Sequence, residues 1–170
     1  MTAIASAASS FVIHPEQAAD APLIDALHDH AFGPGRFTKV SERVREFAEF
    51  RPDLSFCAWQ DQALLGSVRM WRVRIGRTEA VFLGPLAVQE AARKAGAGGA
   101  LVEAASLAAR DAGFALVLLV GDEPYFSRFG YSSANTAAVV MPGPVDQRRV
   151  LVRELVPGAS EGLAGEVRPA

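Results

Sequence analysis

A glycine-rich segment with two cations stands directly before a helical pattern, in the stretch ARKAGAGGALVEAA at positions 92–105. The N-terminus of a helix carries unpaired N–H groups and a partial positive charge, so it favours an anion. Glycines have no Cβ and would let backbone amides come close to that anion, while Arg93 and Lys94 would add positive charge. The segment therefore predicts an anion-binding site. The plainer alternative is a capped helix with a flexible start and exposed cations.

Two common phosphate-binding patterns do not match this segment. A nucleotide-hydrolase loop needs Lys and then Ser or Thr directly after its last glycine, but Ala100 and Leu101 follow Gly99. A dinucleotide fingerprint needs G-x-G-x-x-G in the first strand–helix turn, whereas this segment lacks the third glycine and lies in the middle of the chain. A third candidate anion is coenzyme A, whose pyrophosphate needs the same cradle of amides with cations nearby.

The loop and its neighbours resemble a known family. Arg93-x-x-Gly96-x-Gly98, directly after the apolar stretch LGPLAV, is similar to the acyl-CoA signature of the GNAT superfamily of N-acetyltransferases. The phrases FGPGRFTKVSERVRE, LGPLAV, LVGDEPYFSRFGY and MPGPV resemble, in the same order, phrases of its bacterial YhbS-like branch, over roughly residues 11–156. The resemblance implies a GNAT-type acyl-CoA N-acyltransferase fold and acetyl transfer from acetyl-CoA to a primary amine, by direct attack in a ternary complex.

The resemblance also implies which residues hold the cofactor. The strand before the loop would bulge at Gly84-Pro85 and splay from its parallel neighbour, so that pantetheine lies in the gap; glycine and proline suit such a break in a strand. Main-chain groups of this strand would pair with pantetheine, and loop amides would hold the pyrophosphate. The predicted cofactor-binding residues are Leu86, Ala87, Val88, Arg93, Lys94, Ala95, Gly96, Ala97, Gly98, Gly99 and Phe126.

The catalytic residues implied by the resemblance match less well. The superfamily often places a tyrosine that acts as the general acid four residues before the glycine that opens the next strand. In this sequence, counting back four residues from Gly130 gives Phe126, and Tyr125 is one residue earlier. On a helical turn, one residue rotates a side chain by about 100°. Tyr125 is the candidate acid, and an interfacial packing tyrosine is the alternative. Asp122 is the candidate base, with Glu123, a helix N-cap role and a water chain as alternatives.

Hydrophobic periodicity predicts the elements that would position this site. Strand patterns occur at 11–15, in a hairpin around Asp61–Gln62, and at 80–88, 114–121, 136–141 and 149–156. Helical patterns occur over 16–32, over 38–50 with charges on the outer side, and from the glycine loop to about Ala112, where Gly113 would end the helix. The strand–helix–strand unit over 80–121 predicts one parallel pair with a right-handed crossover. The expected fold class is therefore α/β, with a mostly antiparallel mixed sheet.

The predicted organisation is one acetyltransferase domain over 11–157, between a flexible tail at 1–10 and a C-terminal tail at 158–170. The 170 residues are 50% hydrophobic with a net charge of −2 and no long basic run, so nucleic acid is not an expected partner. A single cysteine suits a reducing cytoplasm, and no apolar run reaches the ~18 residues of a membrane span. His28 and His30 are two apart on a helix, so no metal is expected.

The acceptor is expected to be a small-molecule or peptide amine, bound by the irregular stretches 32–40 and 132–147. Trp71 is interpreted as a hairpin packing residue, with a place at the border of the acceptor cleft as the alternative. A homodimer is allowed by the sequence. The alternative function is a non-catalytic acyl-CoA-binding or regulatory module on the same fold, which the phenylalanine at position 126 motivates.

Overall fold

A mixed sheet of nine strands forms the centre of the computed structural model, which describes residues 11–170. The predicted N-terminal tail at 1–10 lies outside the described residues. The strands are β1 (Val12–Pro15), β2 (Glu49–Phe50), β3 (Phe56–Gln60), β4 (Ala63–Ile75), β5 (Thr78–Val88), β6 (Leu116–Val120), β7 (Val139–Val140), β8 (Val150–Glu154) and β9 (Gly165–Pro169). Their order is β1-β3-β4-β5-β6-β8, and the second half of β4 pairs with β2 and β9 beyond the end of β3.

Five helices accompany the sheet: α1 (Ala21–Phe32), α2 (Val40–Phe47), α3 (Glu90–Arg93), α4 (Ala97–Asp111) and α5 (Glu123–Phe126). The first is shorter than the predicted helix over 16–32, because Pro22 fits only in the first turn of a helix and a 3-10 turn at Ala18–Asp20 precedes it. Gly113, with φ +91°, follows α4 as predicted. The hairpin between β3 and β4 also turns at the predicted Asp61–Gln62.

The helices cover both faces of the sheet because each strand alternates its apolar side chains. On one face, α4 buries an alanine-rich stripe, including Leu101, Val102 and Ala105, against β4, β5 and β6. On the other face, Val44 of α2 packs with Phe82 of β5, and α1 covers the start of β3 and β4. Each fully buried leucine or valine contributes roughly 1.5–3 kcal/mol to folding.

The parallel pair of β5 and β6 is short, and this opens the sheet. Its register is Val81 with Val117 and Phe82 with Leu118, and the pairing stops there although both strands continue. On its other side, β5 shifts its register against β4 between Val68 and Met70, which places a bulge at 84–85. The predicted parallel strand–helix–strand unit is confirmed, and the two strands splay towards the N-terminus of α4.

The C-terminal segment differs from the prediction. Residues 158–170 were expected to be a tail, but β9 pairs antiparallel with Val73–Ile75 of β4 and parallel with β7. Leu163 and Val167 are buried in this layer. The tail prediction is wrong because the segment has only isolated apolar residues, and the strand it pairs with lies about ninety residues earlier, beyond the reach of any local pattern.

Candidate active site

Two adjoining pockets open where β5 and β6 diverge. The smaller has a volume of about 260 Å³ and lies along residues 86–88 of β5 at the start of α4. The larger has a volume of about 940 Å³ and lies between α1, α2, the bulge of β5 and the residues after β6. Leu86 and Phe32 line both pockets, so the two volumes meet at the bulge.

The glycine loop presents free amides at the start of α4. Gly96 has φ +82°, a left-handed conformation that favours glycine, and it immediately precedes the helix. The N–H groups of Ala95 and Gly96 already donate to the carbonyls of Ala92 (3.1 Å) and Arg93 (3.4 Å). Within residues 11–170, the N–H groups at 97–99 have no acceptor, as expected for a first helical turn. The anion cradle is therefore narrower than the predicted span of residues 95–99.

Two glycines of this turn allow aromatic rings to approach closely. A Cβ on Gly98 would lie 2.9 Å from the Tyr125 hydroxyl, and a Cβ on Gly99 would lie 2.9 Å from the ring of Phe129. Both distances are shorter than real Cβ contacts allow. A side chain at 98 or 99 would therefore be obstructed by the Tyr125 hydroxyl or the Phe129 ring rather than by the backbone conformation, since neither glycine has a positive φ.

The structure distributes the predicted cofactor residues around the smaller pocket. Its lining contains Leu86, Ala87, Val88, Arg93, Gly98 and Tyr125. The remaining loop residues flank this pocket without lining it: Lys94, Ala95, Gly96, Ala97 and Gly99. Phe126 lies elsewhere, in the wall of the larger pocket. The smaller pocket is lined by Gly98 and Arg93 at the end where the amides at 97–99 are free. These features fit the pyrophosphate and pantetheine of an acyl-CoA.

Tyr125 and Phe126 face different pockets. The Tyr125 hydroxyl points at Gly98 in the smaller pocket, and its ring packs edge-on against Phe126 (4.9 Å between centroids) and Phe129 (5.5 Å). Phe126 faces the larger pocket beside Gly121. The one-residue displacement seen in the sequence thus places the hydroxyl on the side of the glycine loop.

The two carboxylates at the start of α5, Asp122 and Glu123, have different surroundings. Asp122 lines the larger pocket, its side chain is 76% exposed, and one oxygen lies 3.4 Å from Nε of Arg149. Its carbonyl accepts from the amides of Tyr125 and Phe126, but its side chain makes no capping hydrogen bond. Glu123 instead accepts from the backbone N–H of Ser133 (3.2 Å). Asp122 is therefore the carboxylate of this pair that faces the cleft.

The bulge itself is held from the side of the larger pocket. The indole Nε1 of Trp71 on β4 donates to the carbonyl of Gly84 at 2.6 Å, and both residues line that pocket. Trp71 therefore borders the cleft, which was the alternative to a hairpin packing role. Of the stretches predicted to surround the acceptor, 36–40 and 142–146 do line the cleft, whereas 132–141 does not.

The larger pocket contains two arginines, Arg45 and Arg69, that the sequence did not predict as site residues. Arg45 of α2 has a side chain that is only 11% exposed and donates to Glu42 from Nε (3.3 Å) and Nη2 (2.9 Å). Arg69 of β4 donates in the same way to Glu16, whose side chain is 5% exposed. The charges of α2 were predicted to face outward. That prediction is wrong for Arg45, because α2 turns the part of its charged face that carries Arg45 to the cleft.

A buried histidine lies beside these arginines. His28 of α1 lines the larger pocket, is 2% exposed, and its Nε2 has no hydrogen-bond partner within the described part of the chain. Burial is the main reason that the pKa of His28 falls to about 4, and the nearby guanidiniums of Arg69, Arg36 and Arg45 add to the shift. The imidazole is therefore neutral at pH 7.

Comparison with known proteins agrees with this geometry. The sequence matches the acetyltransferase (GNAT) family over residues 24–131, which is more than half of the chain. The chain therefore belongs to the GNAT acetyltransferase family, and the predicted resemblance is confirmed. No match was found among curated proteins.

Solved structures of the same family are similar over most of the chain. The N-acetyltransferase YhbS of Escherichia coli, in complex with CoA, is 28% identical with a TM-score of 0.77, covering 92% of this chain and 88% of that one. A GNAT acetyltransferase of Brucella melitensis, in complex with acetyl-CoA, is 27% identical with a TM-score of 0.61, covering 84% and 95%. A Staphylococcus aureus family member, at 11% identity and a TM-score of 0.59 over 86% and 100%, shares the fold. The predicted fold class is confirmed.

Neither a metal cluster nor a membrane-spanning helix is found in the described part of the chain. Among residues 11–170, no three His, Cys, Asp or Glu side chains lie close enough together to hold a metal ion. The described helices are all too short or too polar to cross a membrane.

Proposed function

We propose that this protein is an acetyl-CoA-dependent N-acetyltransferase that acetylates a primary amine by direct attack in a ternary complex. The observation that carries the proposal is the junction of the two pockets at Leu86: a narrow pocket with free amides ends where a wide, charged cleft begins. Such a junction lets a thioester and an amine meet without an acyl-enzyme. The CoA and acetyl-CoA complexes of the E. coli and Brucella proteins support the choice of co-substrate.

The smaller pocket is the proposed site of acetyl-CoA, which would supply the activated acetyl thioester. Main-chain groups of residues 86–88 would bind the pantetheine amides. The amides at 97–99 would bind the pyrophosphate, and Arg93 and Lys94 would add charge. Phe126 would contact the acyl end from the side of the larger pocket. Trp71 would preserve the bulge through its hydrogen bond to Gly84.

Three groups are proposed for the chemistry. Asp122 would accept the proton that the amine loses, because it is the exposed carboxylate of the α5 start that lines the cleft. A backbone N–H near Leu86 would stabilise the negative charge on the acetyl oxygen while the new C–N bond forms. Tyr125 would protonate the sulfur as the C–S bond breaks. Among residues 11–170, it is the only residue besides Arg93 that lines the smaller pocket with an ionisable side chain.

The position of the tyrosine hydroxyl also supports a second candidate function. Tyr125 points towards Gly98, and a phenylalanine stands on the side where the acceptor would bind. A non-catalytic acyl-CoA-binding module would need no proton donor at the sulfur, so this arrangement is compatible with it.

Release of free CoA by the purified protein, with acetyl-CoA and a panel of amines, separates the two functions. We expect amine-dependent CoA release, with the acetylated amine identified by mass spectrometry. Tyr125→Phe should lower kcat about 100-fold or more while acetyl-CoA affinity stays nearly unchanged.

Tyr131→Phe is the matched control, because it removes the other tyrosine hydroxyl of the chain from a buried bond to Ser106 (3.0 Å). It should cost about 1 kcal/mol of stability and leave kcat unchanged. Acetyl-CoA binding without CoA release for any amine would favour the binding module. Full kcat in Tyr125→Phe would exclude the tyrosine as the acid.

A further inference from the structure

Three arginines from separate elements converge on the larger pocket. Arg36 comes from the 3-10 turn Pro34–Thr38, Arg45 from α2 and Arg69 from β4, and all three line the cleft together with His28. We name these three residues the arginine cluster. Their side chains are 16%, 11% and 17% exposed, so they are held in the wall rather than extended into solvent.

The internal ion pairs leave donors of the cluster unused. Arg45 and Arg69 each use Nε and Nη2 to bind their own glutamate. Within residues 11–170, the Nη1 groups of both have no acceptor. A Cβ on Gly84 would lie 3.6 Å from Nη1 of Arg45, so this free edge of the guanidinium faces the bulge. A guanidinium has five donors in a fixed fork, and the unused edge can still bind an oxygen anion.

The charges of the cluster are not balanced by the protein. Three guanidiniums face two largely buried carboxylates, those of Glu16 and Glu42. The partner of Arg36 is Asp29, whose side chain is 67% exposed and therefore screened by water. His28 is neutral and cancels nothing. One positive charge thus remains near the bulge, in a place where burial makes an unpaired charge unfavourable.

Three of the other acidic residues that line the cleft are paired with cations outside the cluster, whereas Asp25 of α1, which is exposed, has no ion-pair partner within residues 11–170. Asp122 lies beside Arg149, and Asp146 is bound by Arg148 through a two-point pair. Glu46 pairs with Arg43. The cleft therefore presents an excess of positive charge at the arginine cluster, because three of these carboxylates are paired and that of Asp25 is exposed and screened by water.

We propose that the arginine cluster binds a carboxylate of the acceptor, so that the preferred substrates are small amines that also carry a carboxylate group. The inference rests on the proposed function, because it names the class of amine for the same site. A carboxylate at the cluster would satisfy the unused donors and direct the amino group of a short molecule to the bulge.

Matched pairs of amines test the proposal directly. Glycine, β-alanine, 4-aminobutanoate and 6-aminohexanoate are each compared with the corresponding carboxamide. Binding is measured calorimetrically on the protein saturated with CoA, and turnover is measured with acetyl-CoA. For at least one chain length, we expect the carboxylate to bind more tightly and to have a kcat/KM about tenfold or more above that of its amide, as for loss of one charge-assisted hydrogen bond.

Single variants assign the preference to the cluster. Arg36→Gln is the first choice because its partner is largely exposed and the fold should tolerate the change; Arg45→Gln is the second. In both variants, the kcat/KM of the carboxylate divided by that of its carboxamide should fall by about tenfold. Arg77→Gln, at the exposed turn between β4 and β5, removes the same charge away from the cleft and should leave the ratio intact.

The outcomes separate this inference from the proposed function. Equal binding of every carboxylate and its amide, or an unchanged ratio in both cluster variants, would overturn the carboxylate site even if amines are acetylated. No CoA release with any amine would overturn the proposed function. The calorimetric comparison on CoA-loaded protein would then still decide whether the cleft prefers carboxylates.

Discussion

The contact between Gly98 and Tyr125 makes a quantitative prediction about two substitutions together. A methyl group on Gly98 would sit 2.9 Å from the tyrosine hydroxyl and 3.5 Å from Val88. The second distance is an ordinary contact, so only the hydroxyl obstructs the methyl, and it would have to retreat by about half an ångström. The ring is held between Phe126 and Phe129, so the retreat is not free. An off-rotamer shift of this kind costs about 0.5–1.5 kcal/mol.

Against this cost stands the helix propensity of alanine, which exceeds that of glycine by at most about 1 kcal/mol. Gly98→Ala should therefore leave the free energy of unfolding unchanged or lower it by up to about 1 kcal/mol in the native background. In the Tyr125→Phe background the obstructing oxygen is absent, and the same substitution should stabilise the protein. The two changes should thus be coupled by about 1 kcal/mol.

Urea unfolding of the native protein, both single variants and the double variant measures this coupling. Gly99→Ala is the control, because its methyl group would meet Phe129 instead of Tyr125. The Tyr125→Phe substitution should not reduce the destabilisation caused by Gly99→Ala. Additivity of the Gly98 and Tyr125 changes within about 0.3 kcal/mol would refute the assigned contact.

Two further predictions concern the cofactor and the buried histidine. CoA and acetyl-CoA should raise the melting temperature in a dose-dependent way, and NAD and ATP much less, because the smaller pocket fits an acyl-CoA; equal stabilisation by NAD would count against the assignment. Folding lowers the pKa of the His28 imidazole from 6.5 to about 4, so as the pH falls the unfolded chain binds this proton before the folded protein does. The free energy of unfolding should therefore decrease as the pH drops from about 6.5 to about 4. The loss should approach about 3 kcal/mol, and urea midpoints at several pH values should show it in the native protein but not in His28→Gln. The same pH profile in both would disprove this origin.

The glycine loop could be predicted because it depends on residues that are close together in the sequence. A strand, three glycines, two cations and an alanine-rich helix follow one another within some thirty residues, and each has a signature of short range. Because a helix start creates free amides wherever it occurs, the anion cradle could be predicted from the sequence. The splay of β5 was implied by the family resemblance, and Gly84-Pro85 fits it, since both residues disturb a strand.

The acceptor side depended on the tertiary structure. Glu16 and Arg69 are 53 positions apart and meet only because β4 lies close to the start of the chain. The periodicity of α2 showed that Arg45 lies on a charged stripe, but a stripe that faces a polar cleft has the same pattern as one that faces water. Whether Tyr125 reaches the glycine loop or the cleft was equally undecided, because one residue of rotation in a four-residue helix depends on how that helix docks. The sequence alone thus determined the glycine loop and its free amides, which depend on neighbouring residues, whereas the arrangement of charges in the larger pocket arises from contacts between distant ones.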